Sequence, residues 1–217
     1  MSTAQRAWES VAERHAAILA HPFVTGLRDA TLPAEAFVRY LVDDAHYLER
    51  YARVLATLAA RAPDSEGVAL LARSAAGAVE AERALHTGEL AERGVVLAGT
   101  EPSLTCRAYT GFLAEAAASA PFAVGLAAVL PCFRVYAEVG RAVHAGRAAG
   151  SHPYAAWIDT YVDPAFDAAV TDVEAYLDAV APQPDRAVLD AYATATRFEW
   201  LFWDEAWRGG PAARAAG

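Results

Sequence analysis

Three residues in this 217-residue sequence have side chains capable of chemistry and stand where apolar residues are expected. Cys132 follows a proline in an apolar segment, Asp44 interrupts a stripe of Tyr and Leu, and Glu199 stands among aromatic residues. A carboxylate removed from water needs a partner, and a thiol attacks only as a thiolate. These residues suggest an enclosed small-molecule site with one nucleophile and two carboxyl groups.

Asp44 lies on the apolar face of a predicted helix. Residues on that face follow i, i+3, i+4, i+7 spacing, and they are Phe37, Tyr40, Leu41, Tyr47, Leu48, Tyr51, Val54 and Leu55. An Asp in this position either makes a structural hydrogen bond to a neighbouring Tyr or Arg, or binds a ligand. The sequence leaves both interpretations open.

Glu199 has similar surroundings in the last predicted helix, where Tyr192, Thr196, Phe202, Trp203 and Ala206 share its side. If this helix and that of Asp44 face one cavity, burial raises both carboxyl pKa values and proximity separates them. Such a pair supplies one proton donor and one ligand-binding group.

Cys132 follows Pro131 inside a predicted helix, where a proline removes a backbone hydrogen bond and kinks the chain. Cys132 and Tyr136 are one helical turn apart and therefore point the same way. The simpler interpretation is that the proline only bends a packed helix. Cys106 has neither an inward carboxylate nor a kink near it in sequence, and we interpret it as a core residue.

Composition excludes several classes of function. The net charge is −9, and the basic residues are arginines spread along the chain, so no basic face for nucleic acid is expected. We find no signal-peptide pattern and no uncharged apolar run of roughly 18 to 20 residues, so we expect a cytoplasmic protein without a membrane partner. Two cysteines are too few for a disulfide scaffold, and both are predicted to be free thiols.

Abundant alanine, with Gly and Pro at helix-like intervals, predicts an all-α domain of seven or eight helices. The first predicted helix spans Thr3 to Ala20 and is followed by a shorter piece from Phe23 to Ala30, a second helix capped by Thr31 reaches Arg61, and a third runs from Asp64 to Gly94. Later helices are predicted from Ser103 to Ser119, from Pro121 to Gly146, through Trp157 and Tyr161, from Asp163, and from Pro184 to Trp207. We expect one domain over residues 1–217, with a core from about residue 4 to 208 and a short flexible C-terminal tail.

One pair of residues has the spacing of a metal site. Glu82 and His86 are i, i+4 on a predicted helix, but iron sites in helical bundles need further Glu and His ligands on facing helices. The last helix contains no His. We therefore interpret the pair as a surface pair and predict no metal and no cofactor.

A series of motifs between residues 21 and 207 resembles the TenA or thiaminase II family. In order, they are His21-Pro22-Phe23-Val24, Thr31-Leu32-Pro33, Asp44 with Tyr47-Leu48, Glu80-Ala81-Glu82 with Leu85-His86, Leu130-Pro131-Cys132-Phe133 with Tyr136, Tyr154 with Trp157-Ile158 and Tyr161, and Glu199 with Phe202-Trp203. The resemblance implies a heme-oxygenase-like helical bundle, usually assembled as a homotetramer.

The same resemblance implies a hydrolase that releases 4-amino-5-hydroxymethyl-2-methylpyrimidine from thiamin or from aminomethyl-pyrimidine products of thiamin breakdown. It implies Cys132 as the nucleophile, Asp44 as the carboxylate that holds the pyrimidine, and Glu199 as the acid. It also implies aromatic pocket positions, of which Tyr161 hydrogen-bonds and Tyr109 stacks, at Tyr47, Tyr109, Tyr136 and Tyr161.

Three positions depart from the family pattern: Asp43 where Gln is common, His46 in place of an aromatic residue, and Arg134 in place of Trp. The preferred leaving group, an amine, a formylamine or a thiazole, stays open for this reason. Two other functions also stay open. One is an oxidase on the same fold, with or without a metal near Glu82 and His86, and the other is a non-catalytic pyrimidine-binding or regulatory protein.

Overall fold

Ten α-helices and one π-helical segment make up the regular structure in the computed structural model, which describes residues 1–147 and 150–209, without the side chains of residues 85–87. The helices are α1 (Thr3–Ser10), α2 (Ala12–Leu19), α3 (Pro22–Arg28), α4 (Ala34–Arg61), α5 (Ser65–Leu85), α6 (Leu104–Ser119), α7 (Phe122–Gly146), α8 (Ala155–Thr160), α9 (Pro164–Val180) and α10 (Arg186–Arg208). The described ranges contain no strand, which confirms the all-α prediction. The tail predicted to be flexible, residues 210–217, lies outside the described residues.

Several helices begin where capping chemistry predicts. The Asp64 carboxylate accepts a hydrogen bond from the Gly67 N–H at 2.8 Å at the start of α5. The Ser103 hydroxyl accepts the Cys106 N–H at 3.1 Å at the start of α6. Side-chain acceptors of this kind satisfy N–H groups that have no partner within the helix.

Two predictions near the N-terminus are wrong. The helix predicted from Thr3 to Ala20 breaks at Val11, whose N–H bonds to the Trp8 carbonyl instead of the Ala7 carbonyl. The Ser10 hydroxyl donates to that Ala7 carbonyl at 2.7 Å, and such local side-chain bonds compete with the helical ladder. Thr31 does not cap α4, which begins after Pro33 without a side-chain cap.

The helix predicted from Asp64 to Gly94 is also not one α-helix. Regular α-geometry ends at Leu85, and a π-helical segment covers His86–Leu90. Such segments are rare and shift the register of the residues that follow. Gly94 has a positive φ of 68°, a conformation that glycine adopts without strain, and the helical region ends there as predicted.

The centre of the bundle is built from α4, α7 and α10. Helix α7 packs against α10, α9 and α6, while α4 packs against α5 and α6.

The sequence predicts no membrane-spanning segment, yet α7 is long and apolar enough to cross a bilayer, with a mean hydropathy of 1.6 over 18 residues. Since 67% of that window is buried within the fold, α7 matches the core helix of a soluble bundle equally well.

A close approach at Gly140 brings the end of α8 against α7. A Cβ atom at this position would lie 2.6 Å from the Tyr161 Cβ and 2.9 Å from its carbonyl oxygen. Only glycine leaves room for this contact. It places Tyr161 beside Tyr136, with ring centroids 4.9 Å apart.

Candidate active site

A cavity of about 480 Å³ opens between α4, α5, α7 and the segment from α8 to α9. Its size falls within the roughly 300–1,000 Å³ typical of small-molecule sites. Four of the seven predicted site residues line it: Asp44, Cys132, Tyr136 and Tyr161. The other three, which do not line this cavity, lie in the buried layer behind it: Glu199, Tyr47 and Tyr109.

Asp44 projects from α4 and is only 6% exposed. Burial raises its carboxyl pKa to about 7, a hydrogen bond from Tyr40 acts in the opposite direction, and the neighbouring Asp43 charge raises it further. The group can therefore hold or release a proton near neutral pH. This property suits a carboxyl group that shares a proton with a nitrogen heterocycle.

Glu199 projects from α10 and is 2% exposed. Its Oε1 atom accepts a hydrogen bond from the Tyr109 hydroxyl at 2.6 Å. Burial raises the carboxyl pKa to about 8, although the Tyr109 hydrogen bond partly opposes this rise, and the Asp44 charge adds to it. Glu199 is therefore mostly protonated at pH 7 and available as an acid.

The Cys132 thiol is partly buried and reached from the cavity. Burial, followed by the charge of Glu199, raises its pKa well above that of an ordinary thiol. The Tyr47 and Tyr51 hydroxyls lower the pKa by stabilising the thiolate, but to a smaller extent. The resting residue is a thiol that needs a proton acceptor before it can attack.

Aromatic side chains fix the layer behind these groups. The Tyr40 ring stacks on Trp203, with centroids 5.0 Å apart and planes 11° apart. The Trp157 Nε1–H donates to the Tyr40 hydroxyl at 3.2 Å, and this hydroxyl lies 3.4 Å from that of Tyr136. The Tyr40 hydroxyl therefore accepts from the indole and donates to the Tyr136 hydroxyl, which connects α8 to α4 and α7.

Sequence reasoning missed Tyr51 as a site residue. Tyr51 lines the cavity, and its hydroxyl donates to the Val129 carbonyl at 2.8 Å, one turn before Cys132. Its ring stacks on Tyr47 with centroids 5.2 Å apart. Its spacing, one turn after Tyr47 on the same apolar face, is the signal that identifies it. Phe133 and Phe166 also line the cavity, and no pattern in the sequence singles them out.

The three departures from the family pattern lie outside the cavity lining. The Asp43 carboxylate accepts the Ser103 N–H at 2.8 Å and so connects α4 to the start of α6. His46 Nε2 lies 2.9 Å from the Thr100 hydroxyl oxygen. Arg134 faces away from the cavity and forms ion pairs on the opposite side of α7. Cys106 is buried, as expected for a core residue, with its sulfur 3.6 Å from the Asp43 carbonyl.

The metal interpretation of Glu82 and His86 stays untested, because the side chain of His86 lies outside the described residues. Within the part of the chain that is described, no three His, Cys, Asp or Glu side chains form a group that could hold a metal ion.

Comparison with known proteins identifies the family. The model of the TENA/THI-4/PQQC family matches residues 7–209. The chain belongs to this family. The predicted resemblance to TenA is therefore confirmed.

Curated TENA/THI-4/PQQC relatives include proteins of thiamin metabolism. Aminopyrimidine aminohydrolase of Bacillus subtilis is 34% identical over 198 residues, which cover 87% of this chain and 82% of that protein. The thiamine biosynthesis multifunctional protein ThiED of Corynebacterium efficiens is 39% identical over 94% of this chain. The match spans only 28% of ThiED, so the chain corresponds to about a quarter of that relative.

Solved structures show the same fold. A TenA homologue from P. horikoshii is 27% identical, with a TM-score of 0.89, and the match covers 97% of this chain and 100% of that one. A domain with a heme-oxygenase-like fold from Shewanella denitrificans is 14% identical, with a TM-score of 0.72 over 92% of this chain and 90% of that one. The predicted single-domain, heme-oxygenase-like helical fold is confirmed.

Proposed function

We propose that the chain is a cysteine-dependent hydrolase of thiamin salvage, which releases 4-amino-5-hydroxymethyl-2-methylpyrimidine from aminomethyl-pyrimidine breakdown products and from thiamin. The observation that carries the proposal is one cavity that presents both a thiol and a carboxyl group with a pKa of about 7. A second carboxyl, protonated at neutral pH, lies behind it. The Bacillus subtilis relative, named aminopyrimidine aminohydrolase, supports the same reaction class.

In this proposal Asp44 holds the pyrimidine. The edge formed by the amino group and the adjacent ring nitrogen offers one donor and one acceptor, which a protonated carboxyl matches. Because the Asp44 pKa is about 7, the proton can move onto the ring nitrogen after binding. The resulting charge-assisted pair is stronger than a neutral one.

Cys132 then adds to the ring while Glu199 supplies a proton to a ring nitrogen. The Glu199 carboxylate that remains then accepts the proton of the Cys132 thiol. The net result is that one proton moves from the sulfur to the ring while the S–C bond forms. Because the thiol loses its proton as the S–C bond forms, the reaction does not require a free thiolate in the resting site, where the pKa of Cys132 is raised.

Addition weakens the bond between the exocyclic methylene and the leaving group. The aminomethyl substrate is an ammonium ion near neutral pH, so its C–N bond breaks and ammonia leaves with the bonding electrons. Water adds to the electrophilic methylene carbon, and the proton that it loses passes to the ammonia, which departs as ammonium. The S–C bond then breaks, which restores the aromatic ring and the thiol and releases the alcohol.

Replacing Cys132 by Ala tests the proposal. We expect release of the alcohol to fall at least about a thousandfold, because the nucleophile is removed, while the fold persists because the side chain is small and partly exposed. Cys106→Ala is the matched control, since this thiol lies outside the cavity and should leave turnover unchanged. Undiminished product release by the Cys132 variant, followed by chromatography, would overturn the proposal.

The assembly and location of the protein are part of the same proposal. The resemblance implies a homotetramer acting in the cytoplasm on a small aminopyrimidine, without a nucleic-acid or membrane partner. Sedimentation velocity tests the tetramer directly. A monomer with full turnover would remove assembly as a requirement for activity.

A further inference from the structure

Helix α4 carries polar side chains on a second face, next to the face that lines the cavity. Asp43, His46 and Arg50 follow i, i+3, i+7 spacing, so they share one side of the helix. The cavity-lining residues of α4, Asp44 and Tyr51, each come directly after a residue of this set. The second face is therefore turned by about 100° from the cavity lining.

Two hydrogen bonds from this second face hold α6 at points on either side of Tyr109 in sequence. The Asp43 carboxylate accepts the Ser103 N–H at 2.8 Å, where α6 begins. Two turns later, Arg50 donates to the Thr110 hydroxyl oxygen at 3.1 Å. The position of α6 relative to α4 is therefore set at its start and again beside Tyr109.

The bond at Asp43 is the better protected of the two. Asp43 is buried, whereas Arg50 is exposed and its bond competes with water. Burial raises the pKa of the Asp43 carboxyl group, and the bonds from Ser103 and the charge of His46 oppose that rise. A negative charge is also favoured at the N-terminus of a helix. Removing this acceptor would leave the Ser103 N–H without its partner.

Tyr109 is the residue through which α6 reaches the reacting groups. Helix α6, which the structure describes in full, contributes no residue to the lining of the cavity. The Tyr109 hydroxyl nevertheless donates to Glu199 at 2.6 Å. Its ring lies 5.1 Å from that of Tyr47 and 5.2 Å from that of Phe198, measured between centroids. A displaced α6 would therefore disturb Glu199 and leave the cavity wall intact.

We propose that Asp43 is a positioning residue, whose bond to the start of α6 sets the register in which the Tyr109 hydroxyl holds Glu199. The inference rests on the proposed function, in which Glu199 delivers a proton. A general acid must lie within hydrogen-bond reach of the atom that it protonates, and a displacement of about 1 Å can cost about a hundredfold in rate. The inference also gives a role to one of the three positions that depart from the family pattern.

The first test compares Asp43→Ala with Asp43→Asn in hydrolysis of the aminomethyl pyrimidine. Both variants lose the charge next to Asp44, but only Asn keeps an oxygen that can accept the Ser103 N–H. We expect kcat to fall about tenfold in the Ala variant and less than about twofold in the Asn variant. KM should be the same in the two variants, because both keep the cavity lining and differ only at α6.

Asp178→Ala is the matched control for the loss of a bond between helices. The Asp178 carboxylate also accepts a backbone N–H of another helix at 2.8 Å, that of Ala4, and it lies outside the cavity. Kinetic constants are referred to the amount of folded protein, measured by circular dichroism. A loss of kcat in Asp178→Ala as large as that in Asp43→Ala would show a general effect of weakened packing and would overturn the inference.

A second pair of variants breaks the same bond from the other partner. Ser103→Pro removes the N–H, and the φ of −59° at Ser103 is one that proline adopts. Ser103→Ala loses only the hydroxyl that caps α6. We expect kcat to be lower in the Pro variant than in the Ala variant, and this comparison remains available if Asp43→Ala does not fold.

A double variant tests the route from Asp43 to Glu199. If Asp43 acts through Tyr109, adding Asp43→Ala to Tyr109→Phe should lower kcat by less than about twofold, because the hydroxyl that Asp43 positions is already absent. A further tenfold loss in the Tyr109→Phe protein would mean that Asp43 acts by another route, and it would overturn the inference.

The remaining outcomes separate this inference from the proposed function. Unchanged kcat in Asp43→Ala and in Ser103→Pro would overturn the positioning role and leave the proposed function standing. Equal losses of kcat in Asp43→Ala and Asp43→Asn would do the same, because the lost charge would then be the cause. No alcohol released by the wild type from the aminomethyl pyrimidine or from thiamin would overturn both.

Discussion

The carboxyl groups on the two sides of helix α7 have different partners. On one side, Cys132 faces a cavity behind which Glu199 is buried with a hydrogen bond from Tyr109. Two residues further on, Arg134 faces the other side, where it lies 2.9 Å from Glu138 and 3.1 Å from Glu174. Glu199 on the first side thus has a tyrosine as its hydrogen-bond partner, whereas Glu138 and Glu174 on the second side have an arginine.

The difference is visible in two carboxyl groups, those of the buried Glu199 and the half-buried Glu174. Burial raises the pKa of both Glu199 and Glu174, but the charge of Arg134 and its hydrogen bond oppose the rise at Glu174. No arginine opposes it at Glu199, whose pKa reaches about 8. Leaving out a counter-charge is what keeps an acid protonated at neutral pH.

The largest expected effect comes from Glu199→Gln, which removes the proton but keeps the shape of the side chain. We expect kcat to fall about 10²- to 10⁴-fold, the usual contribution of general acid catalysis, with little change in pyrimidine binding. Steady-state kinetics measure both. Glu205→Gln on the same helix is the control, because Glu205 accepts a hydrogen bond from Thr105 and does not line the cavity.

Stability should decrease as pH rises through 7 and 8. Asp44 and Glu199 have folded pKa values of about 7 and 8, above their ordinary values of 3.8 and 4.5, so the folded state binds more protons than the unfolded state in between. Ionising both groups between pH 6 and pH 9 should cost about 4 kcal/mol of unfolding free energy. Urea unfolding at the two pH values measures this.

The double variant Asp44→Asn/Glu199→Gln should lose most of this pH dependence. Glu49→Gln, at an exposed position, should keep it. If the unfolding free energy falls by the same amount between pH 6 and pH 9 in the wild type and the double variant, other groups cause the pH dependence.

Asp44→Asn should weaken pyrimidine binding about tenfold, because a neutral amide keeps the donor and the acceptor but loses the charge-assisted bond. We expect unfolding free energy at pH 6 to change by less, since Asp44 is largely protonated there. Isothermal titration calorimetry with the alcohol product measures the first quantity. Equal affinity in the two proteins would contradict the assigned role.

The smallest effect is expected on the charged side of α7. Arg134→Met removes the partner of Glu138 and Glu174 and a guanidinium that lies 4.9 Å from the centre of the Trp8 ring. We expect a loss of about 1–2 kcal/mol in unfolding free energy, because Glu174 stays half-buried without its cation, and an unchanged kcat. A strongly reduced kcat would mean that the two sides of α7 are coupled.

The sequence predicted the helices well where local chemistry decides their ends. Ser103 and Asp64 mark the starts of α6 and α5 because their side chains accept the first free N–H groups. The break at Val11 could not be predicted, because Ser10 bonds to the Ala7 carbonyl only in this local conformation. The π-helical segment after Leu85 likewise leaves no mark in the apolar pattern.

The candidate site was predicted in part for a related reason. Asp44 and Glu199 stand out because a carboxyl group on an apolar helix face conflicts with the pattern around it. The residues of α5 that line the cavity were missed because Gly77 and Ala81 look like ordinary small helical residues. Their position opposite α9 depends on packing between helices distant in sequence, which periodicity does not encode.

The contact at Gly140 makes the shape of the pocket depend on a residue outside its lining. Any side chain at this position would have to push the backbone at Tyr161 outward, because an added Cβ lies 2.6 Å from the Tyr161 Cβ. A variant library restricted to the cavity wall would pass over this position. We therefore expect a substitution at Gly140 to reshape the cavity from the far side of an aromatic ring, by displacing Tyr161.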